Sequence, residues 1–327
     1  MLKEISENID LVEYIGQYID LIAKGKEYFG HCFRHADKTP SLSVNPIKNR
    51  YYCHSCGVGG GIIGFLMEYE KLSFEESVEK ASRLANVDLS TMCKSQTVIM
   101  LKKISNTNKV KEIYEHKIFD KNLLNNYSKI PIVEWLEEGI RQEEIDLYEI
   151  MIDNDSNRII YPVYDIHNNL INIKGRTRFK DYKSMKLPKY INYFTVGVMD
   201  YFQGLNISLN DIKDSGEFII FESIKSVMKL RKYGKKNSAS AEKHTLTDEQ
   251  IKLLIQLHVD IVLAFDTDVS YNDKEIKESI DILKKFTNVY VINDRDSLLG
   301  GAEAKSSPVD IDKQTWDILY KERVRIR

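Results

Sequence analysis

Four cysteines in 327 residues are too few for a disulfide framework. Three of them crowd into one short stretch, and in a reducing compartment such clustering points to metal ligation. The fourth, Cys93, stands alone and reads as a plain thiol. Long apolar runs are also missing: none reaches the roughly 18–20 residues needed to cross a bilayer. The start, MLKEISENIDLVEYIG, is acidic and amphipathic and lacks the basic and apolar segments of a signal peptide. A cytoplasmic location without a membrane partner is the expectation. A dominant charge is absent too. The net charge is −2, which gives the chain as a whole no general affinity for polyanions. There is no internal repeat, no low-complexity tract and no Ser/His/Asp nucleophile set. GVGGG, from Gly57, is too loose for a phosphate loop.

What is present is a soluble globular composition, 43% hydrophobic and 29% charged, in a chain long enough for two or three domains. Charge is uneven along it. Residues 24–52 hold six basic residues (Lys24, Lys26, Arg34, Lys38, Lys48, Arg50) against Glu27 and Asp37. Residues 174–189 hold seven (Lys174, Arg176, Arg178, Lys180, Lys183, Lys186, Lys189) against Asp181 alone. Two readings stand for such patches: a solvated surface, or a confined footprint for nucleic acid.

Ile9, Val12, Ile15, Ile19 and Ile22 recur at helical spacing, predicting one amphipathic helix over 7–22. LSV and NRYYC, around the turn dipeptide Asn45-Pro46, predict a hairpin, with loop following at Gly57 and Gly59–Gly61. Residues 62–86 read as two helices, the second opened by a capping box from Ser73 to Glu76. Residues 91–130 read as a linker plus a helix, and 131–150 as helices. RIIYPVYDIHNNLINIKGRTR reads as two strands around Asn168-Asn169. From residue 216 strands and helices alternate: EFIIFES, a helix to Tyr233, KNSASA, a helix after Thr247, DIVLAFDTD, a helix near 273–286, then NVYVIND. That alternation is an α/β unit with a mainly parallel sheet.

Cys32-x2-His35 and Cys53-x2-Cys56 are two pairs, each able to converge from one turn, joined by the hairpin. Zinc takes four such ligands in a tetrahedron. No further ligand or carboxylate stands beside them, so one closed, structural Zn²⁺ is expected. His31 and His54 flank the ligands at the wrong spacing. Gly57 suits the tight backbone of the knuckle.

The stretch GKEYFGHCFRHADKTPSLSVNPIKNRYYCHSCGVGGGIIGFLMEYEKLSFEESVE resembles the N-terminal zinc-binding domain of bacterial and phage DNA primases. The likeness runs over residues 7 to about 86 and includes the ligand intervals. Phe33 replaces the proline usual there. The resemblance implies a zinc ribbon that helps choose the initiation site on single-stranded template. Lys38, Lys48 and Arg50 can meet phosphates, and Tyr51 and Tyr52 can offer ring faces to bases. Strand neighbours point opposite ways, so at most one of the two tyrosines should face solvent.

Glu222 ends one apolar strand; Asp266 and Asp268 end another. Ligands collect at the carboxyl ends of parallel strands, and carboxylates there suit Mg²⁺ or Mn²⁺. Carboxylates also occur in such loops without function. This part, from roughly 216 to 312, resembles the TOPRIM domain of primases and topoisomerases, with Glu222, Asp266 and Asp268 matching its motif. The preceding GRTR and PKY resemble the basic subdomain of the primase core, which implies that Arg176 and Lys189 contact template, primer or nucleotide; Arg178, in the same basic stretch, is a further candidate to bind nucleic acid or nucleotide. Departures are Ser223 for glycine, Ser226 for an acid, DTDVSYND for a glycine-containing turn, and a missing glycine near Lys243. In KSSPVD, Asp310 persists while Ser306 or Ser307 replaces its companion, with Asp294 and Asp296 as possible substitutes.

The whole reads as a multidomain α+β and α/β protein: a zinc-binding domain (1–90), a linker (91–130), a basic subdomain (131–215) and a TOPRIM-like domain (216–327). The resemblance implies a primase of divergent phage or mobile-element type that acts on single-stranded DNA and nucleoside triphosphates. Asp266, Asp268 and Asp310 would hold Mg²⁺ or Mn²⁺, with Glu222 as the fourth catalytic acid. The alternatives are a non-catalytic single-stranded DNA-binding replication factor and a TOPRIM nuclease. Little sequence follows the acidic domain, so any contact with a replicative helicase is expected on another surface or not at all.

Overall fold

The computed structural model describes residues 2–87, 116–195 and 197–326. Cys93 and much of the expected linker lie outside these residues. No helix among the described residues is long and apolar enough to cross a membrane.

The N-terminal unit begins with two short helices, α1 (Leu2–Glu7) and α2 (Leu11–Gly16), rather than the single helix over 7–22. Asp10 breaks the pattern. Its carboxylate accepts from the amides of Val12 and Glu13, so it starts a new helix instead of continuing the old one. After Gly16 the chain turns, and Ile22, counted above on the apolar stripe, is 69% exposed in a strand. Five strands follow in an antiparallel sheet in chain order: β1 (Ile22–Lys24), β2 (Glu27–Gly30), β3 (Leu42–Asn45), β4 (Arg50–Cys53) and β5 (Gly59–Gly60). Helix α3 (Ile62–Tyr69) packs beside β5, and α4 (Phe74–Leu84) packs on α1 and α3. The capping box forms, with Ser73 Oγ accepting from the Glu76 amide and Glu76 accepting from the Ser73 amide.

Helices α5 (Val133–Glu137) and α6 (Gln142–Leu147) lead into a four-stranded antiparallel sheet, β6 (Met151–Asp153), β7 (Arg158–Tyr164), β8 (Leu170–Thr177) and β9 (Tyr190–Asn192). Residues 116–130 fold against this sheet, with Phe119 bridging to Leu170 and Ser128 to Ile152.

Helix α7 (Leu205–Ser215) precedes the third sheet. Its strands are β10 (Glu217–Phe221), β11 (Ser238–Ser240), β12 (Asp260–Leu263), β13 (Val289–Val291) and β14 (Val324–Ile326). Helices α8 (Ile224–Lys232), α9 (Asp248–Leu257), α10 (Lys274–Leu283) and α11 (Lys313–Lys321) connect them. The spatial order is β11-β10-β12-β13-β14, parallel except for β14. Strand order therefore reverses at β10, and the crevice beyond the carboxyl ends of β10 and β12 is where such sheets bind ligands.

Period-2 alternation buries both faces of this sheet. Phe218, Ile220, Ile261 and Leu263 point into an apolar cluster that continues through α7, α9 and α10 into the N-terminal unit. Ile219, Phe221, Val262 and Ala264 point into a second cluster with α8, α11, Trp135 and one face of β7. The N-terminal unit thus shares its core with the α/β unit.

Candidate metal centres and nucleic-acid interface

Cys32 follows β2, Cys53 closes β4, and His35 and Cys56 sit in the adjoining turns. Their four ligand atoms lie within 4.8 Å of one another. Cys32 Sγ and Cys56 Sγ are 3.7 Å apart, and His35 Nε2 is 3.3 Å from Cys53 Sγ. A tetrahedron with zinc–sulfur bonds of about 2.3 Å puts sulfurs about 3.8 Å apart, so the donor set fits zinc. His35 Nδ1 donates to the Ala36 carbonyl, which leaves Nε2 to ligate. Burial pushes the Cys32 thiol up. Burial also acts to raise Cys53, but hydrogen bonds from Ser41, the Cys56 amide and His35 outweigh it and favour the thiolate. Gly57 has φ +76°, a turn geometry that glycine supplies without strain.

Sequence reasoning missed Asp37. Its Oδ2 accepts from the Cys32 amide (2.8 Å), the Ser41 amide (3.1 Å) and Ser41 Oγ (2.7 Å), and Ser41 Oγ also reaches Cys53 Sγ. One carboxylate braces both ligand pairs. His31 and His54 are engaged elsewhere, with the Asp37 carbonyl and Ser43 Oγ.

The surface around the ribbon needs correction. Tyr51, expected to meet bases, is 1% exposed and packs edge-on against Phe65. Strand alternation turns it into the core and leaves Tyr52 outward. Tyr52 is not free either: its hydroxyl donates to Asn210 of α7, and Lys213 Nζ lies 3.7 Å from its ring centroid. Lys48 Nζ donates to the Asp214 carbonyl at 2.7 Å, capping α7. Arg50 is half-buried beside the same helix, and Lys38 is exposed.

The acidic residues lie in the crevice beyond β10 and β12, where Glu222, Asp310 and Asp268 are near enough for their charges to act on Asp266. Glu222 Oε1 accepts from the Asp266 amide at 3.0 Å. Burial, followed by repulsion from Glu222, Asp310 and Asp268, pushes the Asp266 carboxyl up to about 7. Oxygen donors carrying unbalanced negative charge fit a hard divalent cation. Two of the acids hold lysines: Asp268 pairs with Lys305 and Asp310 with Lys229, each at 2.8 Å. The Ser307 amide also donates to Asp310. Among the described residues, the cysteine–histidine cluster is the one group of three or more such donors within reach of a single ion. Asp294 is occupied in its own loop, accepting from the Leu298 and Leu299 amides. Ser223 caps α8 through the Lys225 amide. Next to Lys243, Glu242 adopts φ +62° and is pinned by Lys174 and by the Tyr201 hydroxyl.

Between β8, β9 and the start of α8 lies a cavity of about 290 Å³, lined by Arg176, Tyr190, Glu222, Lys225 and Lys243 among others. Arg176 makes no ion pair among the described residues, whereas Arg178 is held by Glu134 at 2.7 Å. Lys189 lies 5.5 Å from the Tyr190 ring centroid. Burial lowers the Lys189 pKa, and repulsion from Arg176, Lys225 and Lys183 adds to the effect. Positive charge is in excess here, at the edge of the acidic crevice. Sequence reasoning missed Lys225 and Lys229, which stand at i, i+4 on the helix after Glu222.

Residues 1–97 match the CHC2 zinc finger family. The DNA primase of Campylobacter jejuni is 29% identical over 303 residues, covering 82% of this chain and 49% of that protein. The DNA primase of Enterococcus faecalis is 25% identical over 321 residues, covering 82% and 50%. The chain thus spans about half the length of these curated relatives. Among solved structures, the zinc-binding and RNA polymerase domains of the Aquifex aeolicus primase align at 20% identity with a TM-score of 0.48, covering 99% of this chain and 86% of that one. The chain carries a CHC2 zinc finger at its N-terminus and is a relative of the bacterial DNA primases.

Proposed function

We propose that the chain is a DNA primase that makes short primers on single-stranded DNA by cation-dependent nucleotidyl transfer, in the replication of a phage or mobile element. The observation that carries this reading is the cavity lined by Arg176, Lys225, Lys243 and Glu222 at the edge of the acidic crevice, with Lys225 paired to Glu138. Similarity to DNA primases over 82% of the chain supports it. In the reaction the primer 3′-hydroxyl attacks the α-phosphorus of a nucleoside triphosphate, and the bond to pyrophosphate breaks. Arg176 and Lys189 are assigned to phosphate charge. Glu222 braces the Asp266 loop through its amide and is the acid assigned to hold a proton. Asp266, Asp268 and Asp310 would hold Mg²⁺ or Mn²⁺, which when bound stabilises charge on the phosphate oxygens. Lys305 and Lys229 must release Asp268 and Asp310 for all three acids to serve.

Those same ion pairs favour one rival: a single-stranded DNA-binding replication factor without catalysis. Lysines that neutralise the acids can substitute for a cation. Incorporation of labelled nucleotides on single-stranded DNA with Mg²⁺ or Mn²⁺ separates the two. Product that falls at least about a hundredfold in Asp266→Ala, the scale of losing a key charge-stabilising group, supports the enzyme. Retained DNA binding without product supports the rival, and cleavage of labelled DNA without nucleotides would reveal a nuclease.

A further inference from the structure

We infer that the seam between the zinc ribbon and α7 is a binding site for a phosphoryl anion, built from Arg50 and Lys213 with Lys48 at its rim. A cavity of about 80 Å³ opens there, lined by these three residues, Tyr52, His54 and Asp214 among others. Arg50 extends into the seam from β4. Its Nη1 is fully buried and has no hydrogen-bond partner. Asp260 and Asp214 are close enough to act on its charge, yet neither forms an ion pair with it among the described residues. Lys213 comes from the facing helix. It donates to the Gly57 carbonyl at 3.0 Å and lies over the Tyr52 ring, with no carboxylate in reach of its ammonium among the described residues.

Two enclosed cations side by side without a direct ion pair are costly, and an unpaired buried guanidinium nitrogen adds to the cost. Burial, and then repulsion by Arg50, bring the Lys213 ammonium down to about 7, with Cys56 and Cys53 acting in the opposite direction. The negative end of α7 accounts for Lys48, whose ammonium meets the last carbonyls. It leaves Arg50 Nη1 unexplained. The remaining acid of the cavity, Glu27, accepts from Asn45 at 2.8 Å. A multi-acceptor anion satisfies the guanidinium fork and the ammonium together, and phosphate is the chemistry that this pairing recognises. The anion would join the ribbon to the core. Only its assignment to a nucleic-acid backbone rests on the function proposed above.

The test uses the whole zinc-loaded chain, with Lys213→Met and, should that variant lose zinc, Lys48→Ala. Inorganic phosphate is expected to raise the thermal midpoint of the wild type above that in chloride at equal ionic strength, and to lose this effect in the variant. In a second arm, a fluorescent single-stranded oligonucleotide is titrated over a range of salt. Weakening by roughly tenfold, as for one charge-assisted hydrogen bond, with a log–log salt slope shallower by about 0.7, assigns the anion to the DNA backbone. A phosphate response without a change in oligonucleotide binding assigns the site to a free phosphate or nucleotide. No phosphate response in the wild type, together with unchanged oligonucleotide binding in the variant, overturns the site. The phosphate arm needs neither template nor nucleotide, so it stands or fails apart from primer synthesis.

Discussion

Asp266 is the residue on which the acidic crevice turns. Its carboxyl is pushed up, so the fold favours the protonated form. From the ordinary value near 4 up to about 7, the unfolded chain has lost a proton that the native protein keeps, and stability falls as pH rises. Above that range both states are ionised and the loss is complete. Asp266→Asn is therefore expected to stabilise the protein, without added divalent cation, more at pH 8 than at pH 5, read as the difference in thermal midpoint from wild type. A difference independent of pH would mean that burial and the neighbouring acids do not raise the Asp266 carboxyl in solution. The same scale explains why Tyr51 and Tyr52 were only half legible. Alternation showed that one of them faces inward, but not which, because that depends on where α3 brings Phe65. Asp37 was hidden for a related reason: its three hydrogen bonds span Cys32 to Ser41 and exist only once that loop is closed.

Elements with strong local signals could be read directly. The capping box at Ser73, the helix after Thr247, the hairpin around Asn45-Pro46 and the strand–helix alternation from residue 216 all form as sequence patterns require. Elements set by distant partners could not. Strands β9 and β14 are three residues long and exist because β8 and β13 offer edges to pair with. The helix expected over 7–22 failed at Asp10, where a capping side chain beat an apolar period. Strand β5 shows most directly how one element binds another. A Cβ on Gly60 would sit 2.4 Å from the Gln256 carbonyl oxygen in the last turn of α9. Backbone cannot yield there as a flexible side chain can. Gly60→Ala is expected to destabilise the protein by about 1–3 kcal/mol through overpacking, measured by urea unfolding. An unchanged midpoint would show that the ribbon does not rest on α9.

At the scale of the molecule, the ribbon and the α/β sheet share one apolar cluster. Hydrogen bonds from Lys48 and Lys213 cross the same boundary. A structural zinc contributes folding free energy outright, so its loss should be felt beyond the knuckle. Removing zinc with a strong chelator is expected to lower the thermal midpoint and change the near-ultraviolet circular dichroism of Tyr14, Tyr51 and Phe65, which pack together behind the ligands. An unaltered spectrum would make the ribbon an independent appendage. The account as a whole rests on the acids beyond β10 and β12 acting together on a cation. The most direct measurement is titration of the zinc-loaded protein with Mn²⁺, followed by electron paramagnetic resonance. Saturable binding that Asp266→Asn weakens at least about tenfold, the effect of losing one ligand or its support, is the predicted result. Absence of saturable binding, or binding indifferent to Asp266→Asn, would contradict it.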